Sequence, residues 1–449
     1  MALGAVIILY LFTRLINLDL LPIFNDEANY IFWAKNIAET GQGWFISLTA
    51  GKPPLLIWIM AFLLKILPSG WHLIAGRLPS ILFGLLGLIG IYKLGGKYSV
   101  ILYIFSPFIL FYDRIGLYDS MLSAMLVWAT YFMLKNRPVL WGAFMGLAFL
   151  SKPTAIMYAA ILPVIYFWKF KKIKPIIISF LISQLIANIL IASRGYWNYL
   201  SRSLDYHPGA NINLLTTFWN NFPYTVTWLW QWLTPPVFVF GLVAILKNKY
   251  YATLFLVPII AFTVLGRVYF PRYFLFAIPF LYLAIGDFIK NLKYKFLLLL
   301  ILIAPCLYFD YLLITNPSAA PLPEIEAWQY VAGLPSSSGF EPIYKYLENR
   351  QDQITLFVQG SMSHYPNAFR LHFWDKKNIK IIERWPLVKI DEEILEATKS
   401  GQVYLVVRHS EKNNEPDILK QLPLKIIVEG KKPGGKDTVY LTEISWTKN

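Results

Sequence analysis

Apolar runs long enough to cross a lipid bilayer recur along the chain up to about residue 314, and few charges interrupt them. A chain patterned this way has few folds open to it. In hydrocarbon every backbone N–H and C=O needs an internal partner, so the runs must become helices packed side by side. Composition agrees: 57% of the residues are hydrophobic and only 15% charged, where soluble domains carry about a quarter charged residues. The first run, residues 2–18, is followed by Asp19 and Leu20 without a small-residue cleavage site, and reads as a retained first span. The single cysteine, Cys306, lies inside an apolar run, which excludes intrachain disulfides and cysteine-cluster metal sites.

The formal net charge of +15 suggests nucleic acid until its distribution is read. Residues 317–449 carry 17 Lys+Arg and 17 Asp+Glu against 41 and 26 in the whole chain, leaving 24 basic and 9 acidic residues before them. Thirteen of those 24 fall in short clusters: Lys93 with Lys97, Lys135 with Arg137, residues 169–174, Lys247 with Lys249, and residues 290–295. This is positive-inside bias, and no nucleic-acid partner is expected. With each cluster cytoplasmic, parity gives about eleven spans, a cytoplasmic N-terminus and an extracytoplasmic C-terminal domain. The scheme closes only if residues 54–67 form an interfacial or re-entrant helix. The first outer loop then runs from 19 to about 76 and carries Asp26, Glu27 and Lys52. The fold class expected is a polytopic α-helical membrane protein with a small C-terminal α/β domain. Residues 1–316 form the membrane domain, 317–338 a linker, and 339–449 the outer domain. Strands are expected near 354–358, 379–382, 403–407, 424–428 and 438–442, and helices near 342–350, 391–398 and 415–421.

Ionisable residues collect at the outer face. Asp26 and Glu27 open an amphipathic stretch, 27–39, in a region where acid is scarce; capping of a helix start is the competing reading for one of them. Lys52 sits between Gly51 and Pro53-Pro54, where it can meet a phosphate at headgroup depth or simply snorkel. Asp119 should begin a returning span just after Tyr112-Asp113-Arg114, and Arg114 could serve as a surface partner of Asp113. Lys152, at a tight turn before Pro153, has no acid within several residues. Arg267 and Arg272 are two outer arginines that run against the inside bias. His207, His364, His372 and His409 are scattered, with no paired spacing for a metal, and the Trp-rich stretch 219–232 reads as an interface belt.

Six of these pieces occur in one order: Asp26-Glu27, Gly51-Lys52-Pro53-Pro54-Leu55-Leu56, Arg77-Leu78-Pro79-Ser80, Tyr112-Asp113-Arg114 with Asp119, Phe149-Leu150-Ser151-Lys152-Pro153, and Pro271-Arg272-Tyr273. Over about residues 5–290 the chain resembles the GT-C fold glycosyltransferases of the protein O-mannosyltransferase and aminoarabinose transferase superfamily (glycosyltransferase family 39-like). The resemblance implies an integral plasma-membrane enzyme that transfers a sugar, with inversion, from a polyprenyl-phosphate donor to a lipid, glycan or protein acceptor on the outer face. It implies Asp26 as general base, with Glu27 in support and Asp119 as the second acid of the site. Lys52, Arg272 and Lys152 would hold the donor phosphate, with Arg114 and Arg267 as further substrate-binding candidates. No cofactor is required; a divalent metal is possible but unsupported, because Gly51 stands where aminoarabinose transferases carry a glutamate. The inserted repeat domain of eukaryotic protein mannosyltransferases is missing too. The alternative, a transporter or flippase for a lipid-linked sugar, would place ionisable groups at mid-span, whereas here they lie at the span ends.

Overall fold

The computed structural model describes residues 3–68, 70–204, 213–360, 364–410 and 418–445. They form two compact units. One comprises residues 1–18 and 33–323; the other joins residues 19–32 to 324–449.

The first unit is helical. Five of its helices reach 18 residues or more and are apolar enough to cross a bilayer: His72–Ile104, Pro153–Phe170, Lys174–Ala192, Pro271–Ile289 and Lys295–Thr315. A sixth crossing can be assembled from Leu214–Leu233 and Pro235–Ile245, which meet at 111°. Leu3–Leu15, Leu55–Ile66, Asp119–Leu134, Pro138–Ser151 and Lys249–Leu265 are apolar but shorter. Backbone breaks divide two of the longer runs. Gly96 adopts φ +72° inside His72–Ile104 and separates two helices there, as the Lys93 and Lys97 cluster predicts. Thr234 adopts φ +64° ahead of Pro235, so the apolar run there is divided into the helices Leu214–Leu233 and Pro235–Ile245. Two consecutive prolines cannot donate to a preceding turn, which ends the first helix there.

Burial separates the inner helices from the outer ones. The most apolar stretch of Pro271–Ile289 is 83% buried, whereas that of Lys174–Ala192 is 17% buried and turns Phe180, Leu181 and Leu185 outward, the surface expected of a helix facing lipid. Close helix contacts use small residues. A Cβ added at Gly142 would lie 2.4 Å from the Ser179 carbonyl oxygen, and one at Gly146 2.6 Å from the Cβ of Ile186. Small residues four apart thus let Pro138–Ser151 and Lys174–Ala187 approach backbone to backbone.

The second unit is built on a five-stranded sheet: β1 (Ile354–Gln359), β2 (Ile379–Arg384), β3 (Gln402–Ser410), β4 (Leu424–Lys431) and β5 (Asp437–Ile444), in the order β2-β1-β3-β5-β4. β1 pairs in parallel with β2 and β3, and β5 runs antiparallel to both β3 and β4. Each strand expected from the sequence is present. Phe357, Val403, Leu405 and Val407 form one face of the core with Leu387 and Ile394. Helices Glu341–Glu348 and Glu392–Ser400 occupy expected places, the latter capped by Asp391, whose carboxylate accepts from the Ile394 N–H at 3.0 Å. Of the helix expected over 415–421, only Ile418–Gln421 lies within the described residues. Helix His364–His372 was not expected, although Tyr365, Phe369 and Phe373 recur every four residues and are buried.

Residues 19–32 belong to this unit through backbone pairing as well as packing. Phe24 bridges Ser336: the Asn25 N–H donates to the Pro335 carbonyl at 3.0 Å, and the Ser337 N–H donates to that of Ile23 at 3.0 Å.

Candidate functional site

In the helical unit three of the anticipated residues converge on Lys152. Helix Pro138–Ser151 ends in an extended Lys152 (φ −157°, ψ 138°), and a short 3₁₀ turn, Pro153–Ala155, starts the returning helix. This conformation lets the ammonium reach Asp119, with Nζ 2.6 Å from Oδ1. Asp119 opens helix Asp119–Leu134, where the helix dipole favours a carboxylate, and is itself buried. The same ammonium lies 4.6 Å from the centre of the Tyr273 ring. Arg272 precedes that tyrosine in the 3₁₀ segment Pro271–Ala277, is 9% exposed, and packs on the rings of Phe270 and Tyr273. Arg272 and Lys52 are both close enough for their charges to act on Lys152. Lys152 and Arg272, which share the Tyr273 ring, suit an anion with several oxygens, such as a phosphate.

Lys52 owes its place to Gly51. Gly51 has φ +70°, and a Cβ there would lie 2.7 Å from the Cβ of Arg202. Only glycine meets both demands, which gives a backbone reason for Gly51. Among the described residues, no three His, Cys, Asp or Glu side chains are grouped as a metal would need.

Arg267 is exposed in the bend before Pro271. Its neighbour Tyr269 hydrogen-bonds Thr225 and Thr263, whose helices enclose an apolar pocket of about 460 Å³ lined by Phe218, Phe222, Leu229, Phe255, Ile259 and Leu281. Of the aromatic residues read as an interface belt, Trp219, Phe222, Tyr224 and Trp230 are exposed, whereas Trp228 and Trp232 are buried.

Arg114 has a different task from the substrate contact expected of it. It is 1% exposed, and its guanidinium donates to the carbonyls of Thr13, Arg14, Ile16 and Asn17 at 2.7 to 3.1 Å. Those of Thr13 and Arg14 are open carbonyls at the end of helix Leu3–Leu15 and those of Ile16 and Asn17 belong to the turn that follows, a place that a cation caps favourably. Asp113 is buried as well. It accepts from the Tyr10 hydroxyl at 2.8 Å and pairs with Arg14 at 3.4 Å, so the surface ion pair considered for Asp113 is an internal one with another partner.

In the second unit Asp26 and Glu27 have diverged. Glu27 is fully buried and accepts from the Phe24 N–H at 3.2 Å, reaching back over the first turn of helix Asn25–Thr40 as a capping glutamate does. The capping reading thus applies to Glu27. Asp26, by contrast, is half-buried. Of the histidines, His372 stacks on Tyr344 at 3.7 Å and contacts Glu348, while His207 lies outside the described residues.

With this geometry in place, the comparisons with known proteins are specific about the fold. The family of dolichyl-phosphate-mannose-protein mannosyltransferases matches residues 51–197, the stretch holding Lys52, Asp119 and Lys152. The crystal structure of ArnT from Cupriavidus metallidurans bound to undecaprenyl phosphate superposes with a TM-score of 0.60 at 11% identity, covering 98% of this chain and 97% of that one. The apo structure of the same ArnT gives 0.58 at 12% identity, over 98% and 96%. A comparison with curated proteins found no match. The chain shares the GT-C fold of these membrane proteins; the ordered motifs implied it over about residues 5–290, and the match covers 98% of the chain, so that it extends to the C-terminal sheet as well.

Proposed function

We propose that this chain is an integral-membrane inverting glycosyltransferase that moves a sugar from a polyprenyl-phosphate donor to an acceptor hydroxyl on the extracytoplasmic face. The observation that carries the reading is the Lys152–Asp119 pair seated on Tyr273, with the charges of Arg272 and Lys52 bearing on it. It is supported by the fold shared with a protein that binds undecaprenyl phosphate, and by a family match over the same residues.

The chemistry follows from the leaving group. Asp26 takes the proton of the acceptor hydroxyl as its oxygen bonds to the anomeric carbon, and the anomeric carbon–phosphate oxygen bond breaks on the opposite face. The polyprenyl phosphate leaves with one more negative charge, which Lys152, Arg272 and Lys52 stabilise in a region of low dielectric. Such a leaving group needs cations and no proton donor, so one base suffices. Asp119 orients Lys152, and Glu27 holds the helix start on which Asp26 stands. The apolar pocket has the lining to receive isoprenoid chain.

The test is transfer by purified protein in nanodiscs, offered a panel of radiolabelled polyprenyl-phosphate sugars with membrane extract as acceptor. Asp26→Asn keeps the shape and loses the base. It should lower turnover by roughly 10²-fold or more while leaving donor affinity within about twofold. Lys52→Ala and Arg272→Ala should instead weaken donor binding, each by about tenfold. Near-normal turnover by Asp26→Asn would overturn the assignment of the base. A folded protein that neither binds nor transfers any donor would overturn the enzyme reading.

A further inference from the structure

The C-terminal sheet domain has no role in the chemistry just described, yet it holds the segment bearing Asp26 at two places. On one side is the backbone bridge at Ile23 and Asn25. The opposing turn, 333–338, is pinned from behind by Lys432, a 2% exposed lysine whose ammonium donates to the Gly333 carbonyl at 3.0 Å and to that of Ser336. On the other side is a buried amide pair. Asn367 Nδ2 donates to Asn29 Oδ1 at 2.7 Å, and Asn367 Oδ1 accepts from Arg370 Nη1 at 2.8 Å. Asn367 is 1% exposed and Asn29 8%, and they are 338 residues apart in sequence.

A buried amide pair contributes little net stability, because each partner gives up water to make the bond. What it supplies is direction. The aromatic contacts of this segment, Phe24 on Tyr330 at 4.5 Å and Phe32 on Trp374 at 5.7 Å, resist separation but allow a helix to slide or roll. A hydrogen bond at 2.7 Å between buried groups does not, and a buried asparagine is a known device for setting helix register. Asn29 lies three residues after Asp26 on the same helix, hence on the same face. Arg370 completes the set by fixing which way the Asn367 amide points while its guanidinium lies 5.5 Å from the centre of the Phe32 ring.

We infer that Asn367, held by Arg370, is a positioning residue that sets the rotation of the helix turn carrying Asp26 through Asn29, so that the C-terminal domain serves as the frame of the general base. This rests on the role proposed above for Asp26. The test uses the full chain in nanodiscs and reads turnover, donor KM and amide hydrogen exchange together. Asn367→Leu keeps the volume and removes the bond; it should lower kcat about 10- to 100-fold with donor KM within twofold, and speed exchange across residues 26–32 without changing it in β1 and β3. Asn367→Asp can still meet Asn29, once that amide turns over, and Arg370; it should restore kcat to within about threefold. Asn29→Ala should match Asn367→Leu, and the double variant should be no worse than either single one.

Unchanged kcat in Asn367→Leu would overturn the inference, as would additive losses in the double variant or unchanged exchange over 26–32. If Asn367→Leu fails to fold, Asn29→Ala carries the same expectations and decides alone. Were the wild type inactive with every donor, the transferase reading would fall, and exchange over 26–32 in the variants would still decide whether Asn367 holds this turn.

Discussion

Lys432 and Arg114 show how far the work of a charged residue depends on its surroundings. Burial pushes the Lys432 ammonium down to about 7, with Arg408 adding to the effect and Asp437 opposing it. In the unfolded chain the same group titrates near an ordinary value of about 10.4. Between these values the unfolded state binds more protons than the folded one, so stability must rise with pH across that window; below about 7 both states are protonated and the dependence vanishes. The stability of the wild type relative to Lys432→Met should therefore climb from about pH 7 to about pH 10 and stay flat below, read as the difference in unfolding midpoints. A flat difference throughout would mean that the lysine is not desolvated. For Arg114 the question is which role its charge serves. As a cap on helix Leu3–Leu15, its replacement in Arg114→Met should cost about 2–4 kcal/mol, because four carbonyls, that of Arg14 buried, lose a charged donor at once. Donor affinity of the folded fraction should stay within twofold. A loss of donor affinity with unchanged unfolding would return Arg114 to the substrate site.

Among the elements, helix Pro138–Ser151 carries the most direct consequence. Gly142 and Gly146 allow it to lie against Lys174–Ala187, and Gly142 faces backbone, which cannot yield as the end of a flexible side chain can. Gly142→Val should lower stability by about 1–3 kcal/mol, or block folding, as overpacking does. Gly4→Val, at a glycine with nothing within 4 Å, is the control and should leave the unfolding temperature unchanged. Equal effects from both would mean that valine acts on the helices themselves and not on their contact. At this scale much was legible. The strands of the C-terminal domain follow short β-branched runs between turn residues, a local pattern, and each lies where it was read. Helix His364–His372 was missed because Pro366 and the polar Asn367, Arg370 and His372 between three aromatics spaced by four obscure the helical period. The break at Thr234 is hard to read from hydropathy because apolarity continues across it, although Pro235-Pro236 marks the place.

For the molecule as a whole, the sidedness read from the lysine clusters makes a testable claim about orientation. Lys171 and Lys399 are both exposed, and Cys306 is buried. In intact cells a membrane-impermeant maleimide should label Lys399→Cys, whereas Lys171→Cys should react only after permeabilisation. The reverse pattern would invert the topology and place the C-terminal domain in the cytoplasm.

What the amino-acid sequence determined by itself is what depends on near neighbours and on solvent preference: a helical membrane body, an α/β C-terminal domain, and ionisable residues gathered at the ends of apolar segments. Charge bias, hydrophobic period and turn chemistry are properties of short windows. The tertiary structure alone decided which charge meets which partner. Asp119 with Lys152 is 33 residues apart, Arg114 reaches carbonyls about 100 residues upstream, and Asn29 meets Asn367 across 338 residues. Backbone carbonyls are alike at every position, and an asparagine amide is as content in water as in a core. Only the packing of segments distant in sequence removes water from a particular few of them and makes their mutual bonds obligatory.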